Sequence, residues 1–237
     1  MYGTTMMGLL GGGGLVPSLS YNGTTQGMSM SSANFGSYDL SKFAIAVSFV
    51  LDSNSTSWIM RHQDNSGFDS FTLGITSSGK LAFSVSKDGT PDGNGYYETS
   101  STISNGVRYD IYAVFDYLNA TAGDRIKIYN QGSAMAASTV ATPTAAARTV
   151  TGSVFIGTER TSSQRFDGLM NQLAFFSGSI PAYTSIYNTD NKLTSLKQFP
   201  SLYSYLNAPG RNALDDYVLA TNWTASAAAP TVTDVQP

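Results

Sequence analysis

The chain has 237 residues, of which 41% are hydrophobic and only 12% are charged, with a net charge of −3. This length suits one large domain with a sizeable core, and the apolar content excludes a disordered chain. The 13 lysines and arginines stand singly and form no basic stripe, so we expect neither nucleic acid nor an anionic membrane as a partner. The absence of cysteine excludes disulfides, thiolate metal sites and cysteine nucleophiles.

The opening segment, residues 1–14, contains four consecutive glycines and no lysine or arginine. A signal peptide begins with a basic region followed by an unbroken apolar run, so this segment is interpreted as an N-terminal arm. No later stretch approaches membrane-spanning length, and we therefore expect no membrane insertion.

The middle of the chain alternates with the period of β-strands. In "KFAIAVSFVL" every second residue is large and apolar, which predicts one buried face: Phe43, Ile45, Val47, Phe49 and Leu51. The runs "FTLGI" and "LAFSV" flank the short turn "SSGK", which predicts an antiparallel hairpin. "RYDIYAVFD", "RIKIYNQG", "SVFIG" and "LAFFSG" supply further strands, and "PAYTSIYN" predicts a short helix. Alternation along the last of these strands places Met170, Gln172, Ala174 and Phe176 on one face.

The strand-rich region covers 15–187 and is expected to form one all-β sandwich or barrel, because many short strands alternate with Gly, Asn, Asp and Ser turns. Residues 188–223 are aromatic but lack the strand period, so we expect a segment that packs across the sandwich or against a neighbour. Residues 224–237 are interpreted as an extended terminal arm.

The order of motifs is distinctive. "LSYNGTTQGMSM", "FAIAVSFVLD", "YDIYAVFDYLNATAGDRIKIYNQGS" and "VFIGTERTSSQRFDGLMNQLAFFSGSIPAYTSIY" follow one another over 15–187. In this order they resemble the laminin-G-like members of the concanavalin A-like lectin/glucanase superfamily. The resemblance implies a two-sheet antiparallel jelly-roll sandwich, a fold commonly used for glycan or protein binding.

The resemblance also directs attention to carboxylates. Glucanases of this superfamily carry a Glu-x-Asp-x-Glu strand, whereas this chain has two glutamates, Glu98 and Glu159, which we place in separate turn regions. Aspartate pairs such as Asp64 with Asp69 are interpreted as turn formers, as is the pair Asp88 with Asp92. The sequence therefore predicts a protein that is not an enzyme.

Two further features bear on catalysis. Asn171 and Gln172 stand where the resemblance implies an acidic pair, and amides retain hydrogen bonding without charge or acid chemistry. The single histidine, His62, offers a base beside Asp64, but no nucleophile-elbow motif accompanies it. We interpret His62 as a structural residue at a strand end or in a loop.

Calcium is the cofactor that the sequence makes worth testing. Asp88, Asp92 and Asn94 offer three oxygen ligands in "KDGTPDGNGYYE", and Glu98 follows. The alternative is two successive turns, "KDGT" and "PDGNG", and the spacing, which is not that of a defined calcium loop, favours this alternative.

Saccharide binding in such a fold needs aromatic faces and planar polar groups in loops. The candidates by position are Asn94, Tyr96, Tyr97, Tyr117 and Asn119. Trp58 lies in a predicted strand, where it is equally expected as a core residue.

Two functions remain from different classes. The first is a non-enzymatic component of a virus particle, such as a bacteriophage decoration, fibre or collar protein at the virion surface, with a lectin-like domain. Its partners would be other virion proteins, copies of itself, for example as a trimer, and cell-surface glycans. The second is a secreted or cell-surface carbohydrate-binding module, which would be extracellular.

Overall fold

The computed structural model describes residues 16–89, 94–160, 164–190, 193, 202–207, 224–225 and 231–235. The arm expected at 1–14 lies outside them. Within these residues the chain forms two one-turn α-helices, α1 (Ser32–Phe35) and α2 (Tyr183–Ile186), and a 3₁₀ helix (Ala122–Asp124). It also forms the following strands: β1 (Val16–Asn22), β2 (Met28–Ser31), β3 (Lys42–Leu51), β4 (Ser57–Gln63), β5 (Asp69–Ile75), β6 (Lys80–Val85), β7 (Gly95–Thr102), β8 (Arg108–Asp116), β9 (Ile126–Asn130), β10 (Ser133–Ala134), β11 (Ala137–Ala141), β12 (Ser153–Ile156), β13 (Asp167–Ser177), β14 (Leu202–Asn207), β15 (Thr224–Ala225) and β16 (Thr231–Val235).

The strands form two antiparallel sheets that face each other. The back sheet has the order β10-β9-β8-β3-β13-β1-β16, and β14 pairs with the part of β13 that β1 leaves uncovered. The front sheet has the order β11-β7-β6-β5-β4-β12-β2-β15. This arrangement is a jelly-roll sandwich, and the all-β fold predicted from the strand period is confirmed.

The core lies between the two sheets. The alternating residues of β3 from Phe43 to Leu51 are fully buried there, as predicted. Opposite them stand inward residues of the front sheet, including Phe71, Leu73 and Phe83. The rings of Phe43 and Phe175 stack 5.5 Å apart, and aromatic contacts of this kind add to the stabilisation from area burial.

The predicted hairpin is present as β5 and β6, with Phe71 opposite Val85 and Ile75 opposite Leu81. Strand β13 departs from simple alternation, because its register shifts between Met170 and Gln172. This bulge brings Met170 into the core with Leu173 and Phe175. Our expectation that Met170 would share a face with Ala174 and Phe176 was therefore wrong.

The outer face of the back sheet is also largely covered. Ala44 and Ala46 of β3 are buried beneath the chain that follows β13, together with Phe176, Ile186 and Leu193. This crossing segment contains the predicted short helix as α2. It explains why β3 is buried on both faces although only one face carries large side chains.

The sheets extend beyond residue 187. Strands β14, β15 and β16 come from the segments 188–223 and 224–237, and they add to both sheets. The described parts of these two segments thus belong to the sandwich, because their backbones complete edges that β13, β2 and β1 would otherwise expose.

Candidate functional site

The outer face of the front sheet carries a groove with a volume of about 200 Å³, which we call the front groove. Its residues are Thr56, Trp58, Arg61, Asp69, Thr72, Gly74, Ile75, Thr76, Ala82, Ser84 and Tyr96. Aromatic side chains stand at its two ends, Trp58 on β4 and Tyr96 on β7. Between these ends the side chains are small.

Strand register produces this shape. One cross-strand row runs from Trp58 through Gly74 and Ala82 to Glu98. The adjacent row runs from Arg61 through Thr72 and Ser84 to Tyr96.

The small residues lie on the two middle strands, β5 and β6, so the floor is low where the ends are high. Neighbouring strands are about 4.8 Å apart, so β4 and β7, which carry Trp58 and Tyr96, are about 14 Å apart across three spacings.

Gly74 is required by the close approach of its neighbours. A Cβ atom at this position would stand 2.4 Å from the carbonyl oxygen of Ser57 and 2.7 Å from Cε3 of Trp58. The indole can therefore lie low against β5 only because residue 74 has no side chain.

A charged cluster occupies the Trp58 end of the groove. The Arg61 guanidinium donates to both carboxylate oxygens of Asp69, from Nε at 2.7 Å and from Nη2 at 2.9 Å. It also donates from Nη1 to Glu159 Oε2, which accepts a second hydrogen bond from Trp58 Nε1 at 3.2 Å. The guanidinium carbon lies 4.7 Å from the centroid of the indole, within cation–π range.

The cluster is nearly enclosed, since Arg61, Asp69 and Glu159 are each less than a tenth exposed. Burial raises the pKa of Asp69, and the hydrogen bonds and charge of Arg61 oppose that rise. Arg61 thus holds two desolvated carboxylates and the indole in one fixed arrangement.

Glu98 marks the other end of the groove. It lies in β7 and not in a turn, and it accepts hydrogen bonds from Tyr96 Oη at 3.0 Å, Ser138 Oγ at 2.9 Å and Lys80 Nζ at 3.2 Å. Burial by itself would raise the pKa of Glu98, but these donors together lower it. Its hydrogen bond fixes the Tyr96 ring at the groove end.

The five saccharide candidates from the sequence are scattered. Tyr96 lines the front groove, whereas Tyr97 points into the core and donates to the carbonyl of Met135. Tyr117 packs against the core, and Asn119 lines a different groove on the back sheet.

Asn94 is buried and its amide binds the chain at residues 144–145, donating to Ala145 O at 2.7 Å and accepting from Thr144 N at 2.9 Å. Only Tyr96 of the five therefore belongs to the front groove.

The two calcium candidates that the structure describes, Asp88 and Asn94, make separate contacts with the protein. Asp92 lies outside them, Asp88 is exposed and accepts a hydrogen bond from Ser86 Oγ, and the Asn94 oxygen is already bonded to backbone amides. Among the residues that the structure describes, no three His, Asp or Glu side chains form a ligand cluster.

His62 is not paired with Asp64. Its Nε2 lies 2.9 Å from Ser32 Oγ and its Nδ1 lies 2.9 Å from Tyr38 Oη, which in turn lies 2.8 Å from Ser70 Oγ. Ser32 Oγ is also 2.9 Å from the carbonyl of Gly152.

One proton assignment satisfies every group: Ser32 donates to Gly152, neutral His62 donates from Nε2 to Ser32, and Tyr38 donates to Nδ1. Burial lowers the pKa of His62 to about 4, which agrees with a neutral ring. The network is thus consistent with the structural role expected for His62, although its partners are side chains on α1 and the following loop.

Sequence reasoning missed Arg61, Asp69 and Glu159 as one cluster. Arg61 and Glu159 are 98 positions apart, and the strand β12 that precedes Glu159 pairs with β4 only in the folded sheet. The sequence carries only a weak signal for this cluster. Alternation along β4 places Trp58 on the face opposite to Ile59, which is a core residue.

The comparisons agree with the architecture. A profile of the concanavalin A-like lectin/glucanase superfamily, of the laminin G type, matches residues 22–182, and the chain belongs to that superfamily. A search of curated proteins gave no match.

Solved structures share the fold. A protein of Bacteroides ovatus ATCC 8483, named as a candidate carbohydrate-binding protein, superposes with a TM-score of 0.64 at 13% identity, over 94% of this chain and 60% of its own length. The heptameric SAP-like pentraxin of Limulus polyphemus superposes with a TM-score of 0.57 at 14% identity, over 92% of this chain and 95% of its own length. The CBM40 module of the Ruminococcus gnavus IT-sialidase, bound to α2,3 sialyllactose, superposes with a TM-score of 0.52 at 14% identity, over 69% of this chain and 91% of its own length. At these identities the likeness concerns the fold.

No helix within the described ranges is long and apolar enough to span a membrane.

Proposed function

We propose that the protein binds saccharides in the front groove without chemically changing them. The observation that carries the proposal is the trough between Trp58 and Tyr96, whose floor consists of Thr72, Gly74, Ala82 and Ser84. A trough about 14 Å long with an aromatic ring at each end suits a short oligosaccharide better than a single ring.

The polar groups of the groove support the same ligand class. Sugar hydroxyls both donate and accept hydrogen bonds, and the groove offers hydroxyls on Thr72 and Ser84 beside the charged cluster. Because Arg61 and Glu98 hold their neighbours through several hydrogen bonds, the aromatic ends are fixed before ligand arrives. Such preorganisation lowers the entropy lost on binding.

The charged cluster is better suited to support than to catalysis. A retaining glycosidase needs one protonated and one ionised carboxyl beside the scissile bond. Here Arg61 donates to both oxygens of Asp69, and Arg61 and Trp58 both donate to Glu159 Oε2. We therefore expect no release of reducing ends when the protein is incubated with the oligosaccharides that it binds.

A glycan array with the wild-type protein and Trp58→Ala tests the proposal. We expect wild-type binding to at least one oligosaccharide series, and roughly tenfold or greater weakening in Trp58→Ala, because a stacking surface is lost. Trp58→Tyr should retain part of the affinity. Phe68→Ala is the matched control, since Phe68 is an exposed aromatic residue that does not line the groove. Equal binding by wild type and Trp58→Ala would rule out the front groove.

The setting of this binding is a second part of the proposal. We place the protein on a virus particle, as a decoration, fibre or collar component that associates with itself and with other virion proteins. The low charge of the chain and its glycine- and alanine-rich ends support this setting over a secreted or cell-surface binding module. Immunogold labelling of purified particles tests it, and a monomeric protein absent from particles would favour the extracellular alternative.

A further inference from the structure

The outer face of the back sheet carries a second and larger groove, with a volume of about 670 Å³, which we call the back groove. Strands β8 and β9 form its floor through Tyr112, Val114, Lys127 and Tyr129. One wall is the crossing segment at 180–183. The opposite boundary is formed by Gly132 of the β9–β10 turn and by β10, with Asn119 and Asp124 at one end.

The wall of the back groove is anchored to the sheet. Tyr112 Oη donates to the carbonyl of Pro181 at 2.7 Å, and Tyr187 Oη donates to the carbonyl of Asp110 at 3.0 Å. Ile186, at the end of α2 in the same segment, is fully buried against the sheet. The groove is therefore held open by the fold itself and does not depend on a ligand to form it.

Aromatic surface is available along this wall. The rings of Tyr129 and Tyr183 stack in parallel, with centroids 4.5 Å apart and an interplanar angle of 7°. Tyr183 is 39% exposed, so much of its ring faces solvent at the groove. A parallel pair of this kind presents a flat apolar surface of fixed orientation, as a sugar ring requires for stacking.

The charges of the back groove balance. Lys42 Nζ lies 2.8 Å from Asp116 Oδ2, and Lys127 forms an ion pair with Asp124. Two cations and two anions leave no excess charge to attract a phosphate, a sulfate or a carboxylate. The same four groups supply both donors and acceptors, which matches the dual character of hydroxyl groups.

One acceptor in this groove lacks a donor. Asp116 is 8% exposed, and within the described residues no group donates to its Oδ1. A buried carboxylate oxygen without a donor is destabilising. Asp116 Oδ1 is itself enclosed, so a ligand hydroxyl would supply the missing hydrogen bond by displacing the side chains that cover this oxygen.

From these observations we infer that the back groove is a second binding site, for the hydroxyl groups of a neutral saccharide. The inference does not rest on the front groove, because the two sites lie on opposite outer faces of the sandwich and share no residue. With both grooves occupied, one molecule would link two glycans that approach it from opposite sides.

The test uses the Trp58→Ala protein, in which the front groove keeps only the Tyr96 ring and the back groove keeps the stacked rings of Tyr129 and Tyr183. The protein is first screened on an array of neutral glycans. A neutral glycan that binds, and then lactose and 3′-sialyllactose as a matched pair, are titrated into the ¹⁵N-labelled protein. We expect a neutral glycan to shift the amide resonances of Asn119, Lys127 and Tyr183, with little dependence on salt. Tyr183→Ala in the same background should weaken this binding roughly tenfold, and Tyr183→Phe should restore it.

Phe68→Ala is again the control, as an exposed aromatic residue outside both grooves. Three results would overturn the inference: no neutral glycan binds the Trp58→Ala protein, Tyr183→Ala binds as tightly as its parent, or sialyllactose binds more tightly than lactose in a salt-sensitive manner. The last result would assign the groove to anions. Failure of the front groove alone would appear as wild-type binding that Trp58→Ala leaves unchanged and Tyr183→Ala abolishes.

Discussion

The indole of Trp58 lies against Gly74 of the neighbouring strand so closely that a Cβ atom at residue 74 would stand 2.7 Å from its Cε3. This approach sets the height of one end of the front groove. It also connects the backbone of β5 with the proposed binding surface.

Gly74→Ala should therefore displace the indole. We expect the free energy of unfolding to fall by about 1–3 kcal/mol, as for other overpacked positions, and saccharide binding to weaken together with it. Denaturant unfolding and the glycan array measure the two effects. Gly123→Ala is the matched control, because a Cβ there meets no atom within 4 Å, and it should be close to neutral. A Gly74→Ala protein with wild-type stability and binding would show that the indole has room to move.

Arg61→Met should be strongly destabilising. It leaves Asp69 and Glu159 buried without their shared cation, and breaking a buried ion pair typically costs about 3–5 kcal/mol. Arg148→Met is the comparison, since the Arg148 side chain is 32% exposed and lies 3.6 Å from Asp64. That surface pair should contribute at most about 1 kcal/mol. Similar losses in the two variants, measured by urea unfolding, would contradict the buried role of Arg61.

Because His62 is buried, we expect the free energy of unfolding to fall under mildly acidic conditions. Its pKa is lowered from 6.5 to about 4 by burial, so between these values the unfolded chain binds a proton that the folded protein does not. The folded state is thus favoured above pH 6.5 and loses that advantage as the pH falls toward 4, by an amount on the order of 2–3 kcal/mol.

Unfolding free energies of wild type and His62→Gln across this range measure the effect. The variant should be less stable at neutral pH but should lose less on acidification, because glutamine does not titrate. Parallel pH profiles for the two proteins would exclude His62 as the source.

Asn94 is predicted to be a structural residue. Its amide donates to Ala145 O and accepts from the amides of Thr144 and Ala145. Asn94→Asp replaces the donor with a carboxylate oxygen that faces a carbonyl, so we expect a loss of about 1–3 kcal/mol in thermal or urea unfolding.

A calcium-binding role for Asn94 would predict the opposite effect of Asn94→Asp on stability. If Asn94 were a ligand, the aspartate would strengthen binding, and added calcium would raise the melting temperature of the variant. We expect no such rise, and chelation should leave the wild-type melting temperature unchanged.

Much of the fold was accessible from the sequence because a strand with one buried face alternates in hydrophobicity. Phe43 to Leu51 could be assigned to the core, and the β5–β6 hairpin could be paired from the length of its turn. The bulge in β13 was not accessible, since a shift of one residue at Asn171 leaves no mark in a run of mixed apolar residues. The assignment of Met170 failed for that reason.

The grooves were much less accessible than the core. Tyr96 was selected as a loop aromatic and lies in the front groove, but its equally aromatic neighbour Tyr97 faces the core, as the two-residue period of β7 requires. Trp58 was left undecided between core and surface. Its face depends on the register of β4, which contains two irregularities in its pairing with β5.

The sequence by itself determined the class of architecture, the two-residue pattern of the core and the membership of the superfamily, because these depend on local period and on the order of motifs. Tertiary structure alone decided which polar residues meet. Arg61, Asp69 and Glu159 come together through the pairing of β12 with β4, and Tyr129 meets Tyr183 through the crossing segment over the back sheet. Contacts between residues so far apart in the chain arise from sheet register and crossing geometry, and neither is encoded in the period of any single strand.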